Sequence, residues 1–427
     1  MTAHTIIEAG ARAATVQKVR SPAGIEAWLV EDYAVPLVAC DFAFKGGSAQ
    51  DPAGKSGTAS MLGSLLDEGA GDLDADAFHR ALDDRAIELS FSAERDGMSG
   101  RLRTLSRNIE EAFGLLRLAL TAPRLDADAI ERVRAQITAG LKRESKDPDS
   151  LVGRAWREAA FPGHPYGLPV RGTLESLPQI ERTDLLDLYA ATIGRGDNLK
   201  IAVVGAIDAE RLSGLLDQVF GGLTTGGNLK AIPDVTVSAG GAPQVVDLDI
   251  PQSTIRFGLG GVPRKDPDHM AAVVLNHVLG GGVFSARLFR EVREKRGLAY
   301  SVYSQLMNFD HCAIFSGGTS TKNERAKESL EVIEDEIGKL SIDGPTDEEL
   351  VKAKKYLTGS YPLRFDTSLK IASQLVHLQT EGFDVTYLDE RNALIDAVSM
   401  EDARRAAKRM FGGTRLLVAM VGRPVGV

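Results

Sequence analysis

The chain has 427 residues, which is too long for one hydrophobic core of ordinary size, so at least two domains are expected. Hydrophobic residues make up 43% and charged residues 26%, a balance typical of folded globular proteins rather than disordered ones. The net charge is −9, and no cluster of Lys and Arg with interleaved aromatic residues is present, which argues against nucleic-acid binding.

Neither secretion nor membrane insertion is expected from the apolar segments. The first 30 residues contain no apolar run of signal-peptide length, and Met270–Leu279 is interrupted by Asn276 and His277. We therefore expect a cytoplasmic protein without a membrane span, or a periplasmic one if a leader has been removed. Cys40 and Cys312 lie far apart in apolar stretches and are expected to be buried thiols.

The first half predicts strands followed by helices. Ile25–Val30 and Leu37–Phe44 read as strands joined by a turn, which suits antiparallel pairing. Apolar residues at helical spacing then predict four helices, which are Thr58–Leu66, Asp74–Ile87, Asn108–Leu120 and Asp126–Ser145. A further helix at Arg182–Thr192 and a strand at Leu199–Gly205 end this half.

The second half repeats the pattern of the first. Pro36 and Asp51-Pro52 in the first half correspond to Pro251 and Asp266-Pro267 in the second, with the same spacing. The helix Arg182–Thr192 and strand Leu199–Gly205 likewise correspond to Glu401–Met410 and Leu416–Gly422. Ordered matches at both ends indicate duplication.

The predicted fold class is therefore α+β, with two homologous domains that each have a mainly antiparallel sheet and helices packed against it. A segment rich in Gly and Pro separates the halves and is typical of a linker. We place the domains at 1–222 and 243–427 and the linker at 223–242.

One segment resembles a known peptidase signature. Residues 280–304, GGGVFSARLFREVREKRGLAYSVYS, are similar to the signature of the C-terminal half of the pitrilysin/insulinase peptidases, which include mitochondrial processing peptidase. Residues 44–48 (FKGGS) and 161–167 (FPGHPYG) extend the resemblance over nearly the whole chain. It implies a duplicated metalloenzyme fold like those of LuxS and the processing peptidases.

The resemblance also implies where a zinc site should be. The family carries His-x-x-Glu-His on a helix of the N-terminal half and a third ligand, Glu, on a later helix. The matching residues here are Ser60, Gly63, Ser64 and, after Ala139, Gly140. Neutral serine is a poor zinc ligand and glycine has no side chain. We therefore expect a degenerate site, with no metal or other cofactor bound by this chain.

The histidines offer no second metal site of the helical type. Spacings of three or four residues would place two imidazoles on one helix face, and none of the seven histidines has such a neighbour. They are His4, His79, His164, His269, His277, His311 and His377. The Gly280–Gly282 run is not followed by Lys-Ser/Thr, so it does not indicate a phosphate-binding loop.

Two residues that match a second family cluster remain. Arg293 lies in a predicted helix, Ser285–Arg296, which Gly297 is expected to cap, and Tyr300 begins the next strand. By themselves they would read as a solvated helix-end cation and a half-buried strand aromatic. The resemblance implies that they bind the substrate backbone around the scissile carbonyl and stabilise the negative charge that forms there.

These features predict the non-zinc subunit of a heterodimeric metallopeptidase, inactive alone. Its partners would be peptide substrates and a homologous zinc-bearing subunit with His-x-x-Glu-His. The alternatives are a non-catalytic structural subunit, like the core proteins of a respiratory complex that resemble this family, and a homodimer that binds extended peptides without cutting them. Zinc content and activity of the isolated chain would discriminate these hypotheses.

Overall fold

The computed structural model describes residues 16–194, 196, 198–225, 228–413 and 415–427. The chain divides into two compact units. The N-terminal unit consists of Met1–Leu141, as far as it is described, Pro169–Ala231 and Tyr361–Glu390. The C-terminal unit consists of Lys142–Leu168, Ile232–Ser360 and Arg391–Val427.

Strands and helices alternate in blocks along the chain. The strands are β1 (Gln17–Arg20), β2 (Glu26–Glu31), β3 (Leu37–Lys45), β4 (Glu88–Ala93), β5 (Gly97–Leu105), β6 (Leu199–Gly205), β7 (Gln244–Val246), β8 (Gln252–Gly260), β9 (Ala299–Phe309), β10 (Cys312–Lys322) and β11 (Leu417–Val421). The α-helices are α1 (Thr58–Gly63), α2 (Ala75–Asp83), α3 (Ile109–Thr121), α4 (Ala127–Glu144), α5 (Pro148–Ala160), α6 (Arg182–Thr192), α7 (Ala209–Phe220), α8 (His269–Asn276), α9 (Ala326–Asp343), α10 (Asp347–Gly359), α11 (Ser368–Thr380), α12 (Tyr387–Asp396) and α13 (Met400–Phe411).

The sheet of the N-terminal unit has the strand order β1-β2-β6-β3-β5-β4. The strands predicted at Ile25–Val30 and Leu37–Phe44 form as β2 and β3, but the expectation that they pair with each other is wrong. β6 lies between them, parallel to β2 and antiparallel to β3. The sequence of β6 is almost continuously apolar and nearly all of it is buried, as suits a central strand.

The sheet of the C-terminal unit has the order β7-β11-β8-β10-β9. Its only parallel pair among the described strands is β7 with β11, and the other neighbours are antiparallel. This order repeats β2-β6-β3-β5-β4 of the N-terminal unit, strand for strand. The α+β class with two similar units is confirmed, and each sheet is mixed because it contains one parallel pair.

Each sheet packs its large apolar residues against helices on one face. In the N-terminal unit, Phe42 of β3 lies 5.6 Å, centroid to centroid, from Phe220 of α7 in a T-shaped contact. In the C-terminal unit, Phe315 of β10 makes a similar contact with Phe411 of α13 at 5.1 Å. These rings are buried, and such contacts add to the hydrophobic stabilisation of each core.

The opposite face of each sheet is covered by a helix that comes from the other half of the sequence. In the C-terminal unit, α5 packs on β11 and β8, and the Nε1–H of Trp156 donates to the Leu417 carbonyl at 2.9 Å. In the N-terminal unit, α11 packs on β6 and β3, and Gln379 donates to the Ile201 carbonyl at 2.9 Å. The domain boundaries 1–222 and 243–427 stay a prediction. They assign α5 to the first domain and α11 to the second, whereas each helix packs on the sheet of the other half.

Most of the predicted helices form within four residues of the expected ends; α6 matches at both ends, and α1 stops at Gly63 rather than Leu66. Cys40 and Cys312 are buried thiols, as expected. Among the described residues, no helix is both long enough and apolar enough to cross a membrane.

Candidate functional site

The helix that matches the family's zinc helix is held at its start by Asp51. One oxygen of its carboxylate accepts the backbone N–H of Gly57 at 2.7 Å, and the other accepts that of Ala59 at 2.8 Å. Burial raises the pKa of Asp51 to about 7. Gly57 has φ +100°, and a Cβ there would lie 3.0 Å from the carbonyl oxygen of Arg171, so this turn requires glycine.

Three of the degenerate positions lie on one turn of α1 and just after it. Ser60 is half-buried, Gly63 is buried and Ser64 is exposed. The Ser64 hydroxyl donates to the Ser60 carbonyl at 3.0 Å, so it closes the helix end and is occupied by a backbone bond. A Cβ on Gly63 would lie 3.5 Å from the backbone of Ser92 in the edge strand β4, an ordinary contact distance. The backbone therefore has room for a side chain at position 63.

The fourth degenerate position faces a cation. Gly140 is buried in α4, and a Cβ on it would lie 2.6 Å from Nη2 of Arg171. The guanidinium thus lies where the side chain of a third ligand would begin. A positive charge at this place opposes the binding of a divalent cation. No sequence pattern indicated Arg171, which is distant in sequence from all four positions.

The residues that the structure describes include no group of three or more His, Cys, Asp or Glu able to hold a metal ion. The His164 ring accepts the backbone N–H of Tyr166 through Nδ1 and lies 3.0 Å from the Pro233 carbonyl through Nε2. His277 stacks on Tyr356, and burial lowers its pKa. His4 lies outside the described residues.

The segment that carries Arg293 is a π-helix rather than the predicted α-helix. It spans Phe289–Glu294 within the predicted Ser285–Arg296, and its C-cap is Lys295 rather than the expected Gly297. Gly297 follows two residues later in the left-handed conformation, with φ +58°. The backbone N–H of Gly297 donates to the carbonyl of Arg293 at 3.0 Å, and that of Leu298 donates to Val292 at 2.9 Å. Single π-helical turns are rare and occur frequently at functional sites.

Arg293 and Tyr300 lie together. The Arg293 Cζ is 4.9 Å from the ring centroid of Tyr300 and 4.6 Å from that of Phe289, so the guanidinium contacts two aromatic rings. Phe284 makes a T-shaped contact with Phe289 at 5.2 Å. Tyr300 is 84% exposed, which excludes the interpretation of a half-buried strand aromatic.

A β-bulge orients Tyr300. Val302 pairs with Thr319, but Ala299 pairs with Thr321, so Tyr300 and the next residue together oppose Ser320. The bulge lies in β9, the edge strand of this sheet. Bulges re-aim side chains and are over-represented near active sites. Nothing in the sequence pattern predicted it, because a bulge depends on the register with the neighbouring strand.

The neighbouring charges do not neutralise Arg293. The Glu291 carboxylate contacts Lys295 at 2.8 Å, Arg296 at 2.9 Å and Arg290 at 3.3 Å. Partial burial acts to raise the pKa of Glu291, but these hydrogen bonds outweigh it and lower the pKa to about 2. The Glu291 carboxylate therefore pairs with three other cations, whereas Arg293 contacts aromatic rings.

Comparison with known proteins gives two family matches. Residues 29–174 match the family described as Insulinase (Peptidase family M16), and residues 179–357 match Peptidase M16 inactive domain. The chain is 28% identical over 339 residues to Non-peptidase homolog YmxG of Helicobacter pylori, covering 79% of this chain and 78% of that protein. It is 27% identical over 368 residues to Uncharacterized zinc protease ML0855 of Mycobacterium leprae, covering 86% and 82%.

Among solved structures, the chain is similar to the peptidase M16 inactive domain from Pseudomonas fluorescens. The identity is 26%, the coverage is 96% of this chain and 98% of that one, and the TM-score is 0.89. The structural similarity thus extends over both units.

Proposed function

Because the chain belongs to the insulinase (M16) family of peptidases and has no His-x-x-Glu-His motif, we propose that it is the zinc-free subunit of a heterodimeric metallopeptidase. Peptide hydrolysis would take place at the zinc site of a homologous partner subunit. This chain would contribute Arg293 and Tyr300 to that site.

The observation that supports this proposal is the exposed stack of Arg293 and Tyr300 in a chain whose own zinc ligands are replaced. Zinc in the partner would supply the activated water. The phenol O–H of Tyr300 and the N–H groups of Arg293 are donors suited to the oxyanion that forms when the carbonyl is attacked. An isolated pair of this kind has no nucleophile of its own, which is why a second subunit is required.

The alternative is a non-catalytic structural or peptide-binding subunit. The name of the YmxG relative, a non-peptidase homolog, is compatible with it. An exposed tyrosine in a bulge, stacked on an arginine that pairs with no carboxylate among the described residues, has no evident structural purpose in such a subunit. This observation favours the catalytic role.

The test combines the purified chain with a subunit that carries His-x-x-Glu-His, and measures cleavage of a quenched fluorescent peptide. The isolated chain should contain no stoichiometric zinc and should not cleave. In the pair, Arg293→Ala and Tyr300→Phe should each lower kcat on the order of 100-fold. The matched control is Lys295→Ala, which removes a neighbouring cation and should leave kcat within about twofold, as expected for an exposed ion pair.

Two outcomes would contradict the proposal. One is cleavage by the isolated chain after metal removal. The other is a pair whose kcat does not change in the Arg293→Ala, Tyr300→Phe double variant, which would favour the structural subunit.

A further inference from the structure

The C-terminal sheet has a second face whose chemistry is separate from the Arg293 cluster. Ile255 and Phe257 of β8 belong to the apolar core, so the alternate residues of β8, Arg256 and Gly258, lie on the face where α5 packs. Trp156 of α5 covers Gly258, since a Cβ on Gly258 would lie 2.6 Å from its Cζ2 atom. Arg157 follows Trp156 in α5 and lies close enough to Arg256 for the two charges to interact.

Arg157 and Arg256 form a pair of like charges. Both are half-buried. Burial lowers the pKa of Arg157, and the positive charge of Arg256 lowers it further. Within the described residues, no carboxylate forms an ion pair with either guanidinium, although Arg154 on the same helix pairs with Glu158 at 2.8 Å. Two half-buried cations without an anion are electrostatically unfavourable.

Tyr303 adds a neutral donor to this pair. The Arg256 Cζ lies 6.0 Å from the ring centroid of Tyr303, and both residues pair across β10 with Gly318. A Cβ on Gly318 would lie 3.1 Å from the Tyr303 hydroxyl, so the glycine leaves space for this ring. Tyr303 is 39% exposed. The three side chains thus present two guanidinium groups and a phenol on one face.

The other strand residues on this face are neutral. By strand register, the same face carries Ser316 and Ser320 of β10, Gln305 and Met307 of β9, and Thr254 of β8. Donors that form no ion pair with a carboxylate of the described residues suit the carboxylate of a ligand, which accepts several charge-assisted hydrogen bonds.

We propose that Arg157, Arg256 and Tyr303 form a subsite that binds a carboxylate of the peptide substrate, either its C-terminus or an acidic side chain. This inference rests on the proposed function, because it takes peptides to be the ligands. Tyr303 follows Tyr300 by three residues on β9, at most about 10 Å along the strand because the bulge lies between them. The carboxylate is therefore expected about three peptide residues from the bond that lies at Tyr300.

The test measures peptide binding by the full chain alone, with isothermal titration calorimetry. Three acetylated peptides share one neutral sequence. The first has a Glu and an amidated C-terminus, the second has Gln and a free C-terminus, and the third has Gln and an amidated C-terminus. We expect the first or the second to bind about tenfold more tightly than the third. The peptide that gains affinity identifies the source of the carboxylate.

The variants then assign the subsite to its residues. Arg157→Gln and Arg256→Gln should abolish the preference for the charged peptide, and Tyr303→Phe should reduce it. Affinity for the neutral peptide should not change, which shows that the variants fold. Arg256→Lys should retain part of the preference, because the charge remains. Arg154→Gln is the matched control on α5, and it should retain all of it.

The subsite is disproved if the wild-type chain binds all three peptides equally, or if Arg154→Gln weakens the preference as much as Arg256→Gln. The binding experiment uses this chain without a partner subunit, so its result does not depend on whether the paired enzyme cleaves peptides. Conversely, if the paired subunits cleave peptides but this chain shows no preference for a carboxylate, the subsite is disproved and the proposed function is not.

Discussion

Truncation of Trp156 tests whether α5 belongs to the C-terminal unit. Its side chain is 4% exposed, contacts Phe161 edge to face and donates a hydrogen bond to Leu417 in β11. Trp156→Ala should cost about 3–5 kcal/mol for the lost packing, and the broken hydrogen bond adds about 1 kcal/mol. Trp156→Phe keeps most of the ring contact and should cost about 1–2 kcal/mol, because it removes the donor and one ring.

Hydrogen exchange with mass spectrometry locates this loss. In Trp156→Ala, amide exchange should accelerate in β8 and β11, on which α5 packs, and less in β3 and β6. Trp28 provides the matched control, since it is the chain's other tryptophan, is 3% exposed and lies in β2. Trp28→Ala should accelerate exchange in the N-terminal unit instead. If Trp156→Ala accelerated exchange in β3 and β6 and spared β8 and β11, the assignment of α5 would be wrong.

Three further predictions concern charges. The first restores the zinc site with Ser60→His, Gly63→Glu, Ser64→His and Gly140→Glu, which should give weak zinc binding while Arg171 is present. Adding Arg171→Ala should increase the zinc affinity at least about tenfold in a chelator competition. Equal zinc affinities would show that the charge of Arg171 does not oppose binding. The raised pKa of Asp51 means that its carboxyl favours folding below about pH 4 and that this contribution is lost as the pH rises through about 7. Urea titrations should therefore show Asp51→Asn gaining stability relative to the wild type over that interval, and a constant difference would contradict this. Arg409 binds Asp266 at 2.7 Å and Asp268 at 2.9 Å, and the pKa of both carboxyls is lowered. Arg409→Met should therefore lower the free energy of unfolding, measured by urea denaturation, by about 1–2 kcal/mol at pH 7 and by less at about pH 2, where the carboxylates are protonated. An equal loss at both pH values would show that the ion pairs are not responsible.

The sequence predicted the local elements better than their neighbours in space. Helical spacing located α6 at its observed ends, and the repeat predicted two similar sheets. The place of β6 between β2 and β3 was missed, because strand order depends on contacts between residues distant in the chain. The exchange of α5 and α11 was missed for the same reason. An amphipathic pattern shows that a helix buries one face, but it does not show which sheet covers that face.

The resemblance identified the residues of the candidate site, but it did not predict their geometry. The spacing of Arg293 and Tyr300 identified the pair, but their stacking depends on a π-helical turn and a β-bulge that no local pattern specified. Arg171 was missed because its contact with Gly140 arises from tertiary packing. The like-charge pair of Arg157 and Arg256 was missed because it joins a helix to a strand that is far away in sequence.

The membership of α11 in the N-terminal unit affects how the protein can be made. Translation proceeds from the N-terminus, and domains generally fold as units while the chain emerges from the ribosome. The nascent N-terminal unit has all six of its described strands once β6 is synthesised, but residues Tyr361–Glu390 appear only after most of the second unit. Until then one face of its sheet lacks α11, so we expect the nascent chain to bind chaperones during the second half of its synthesis.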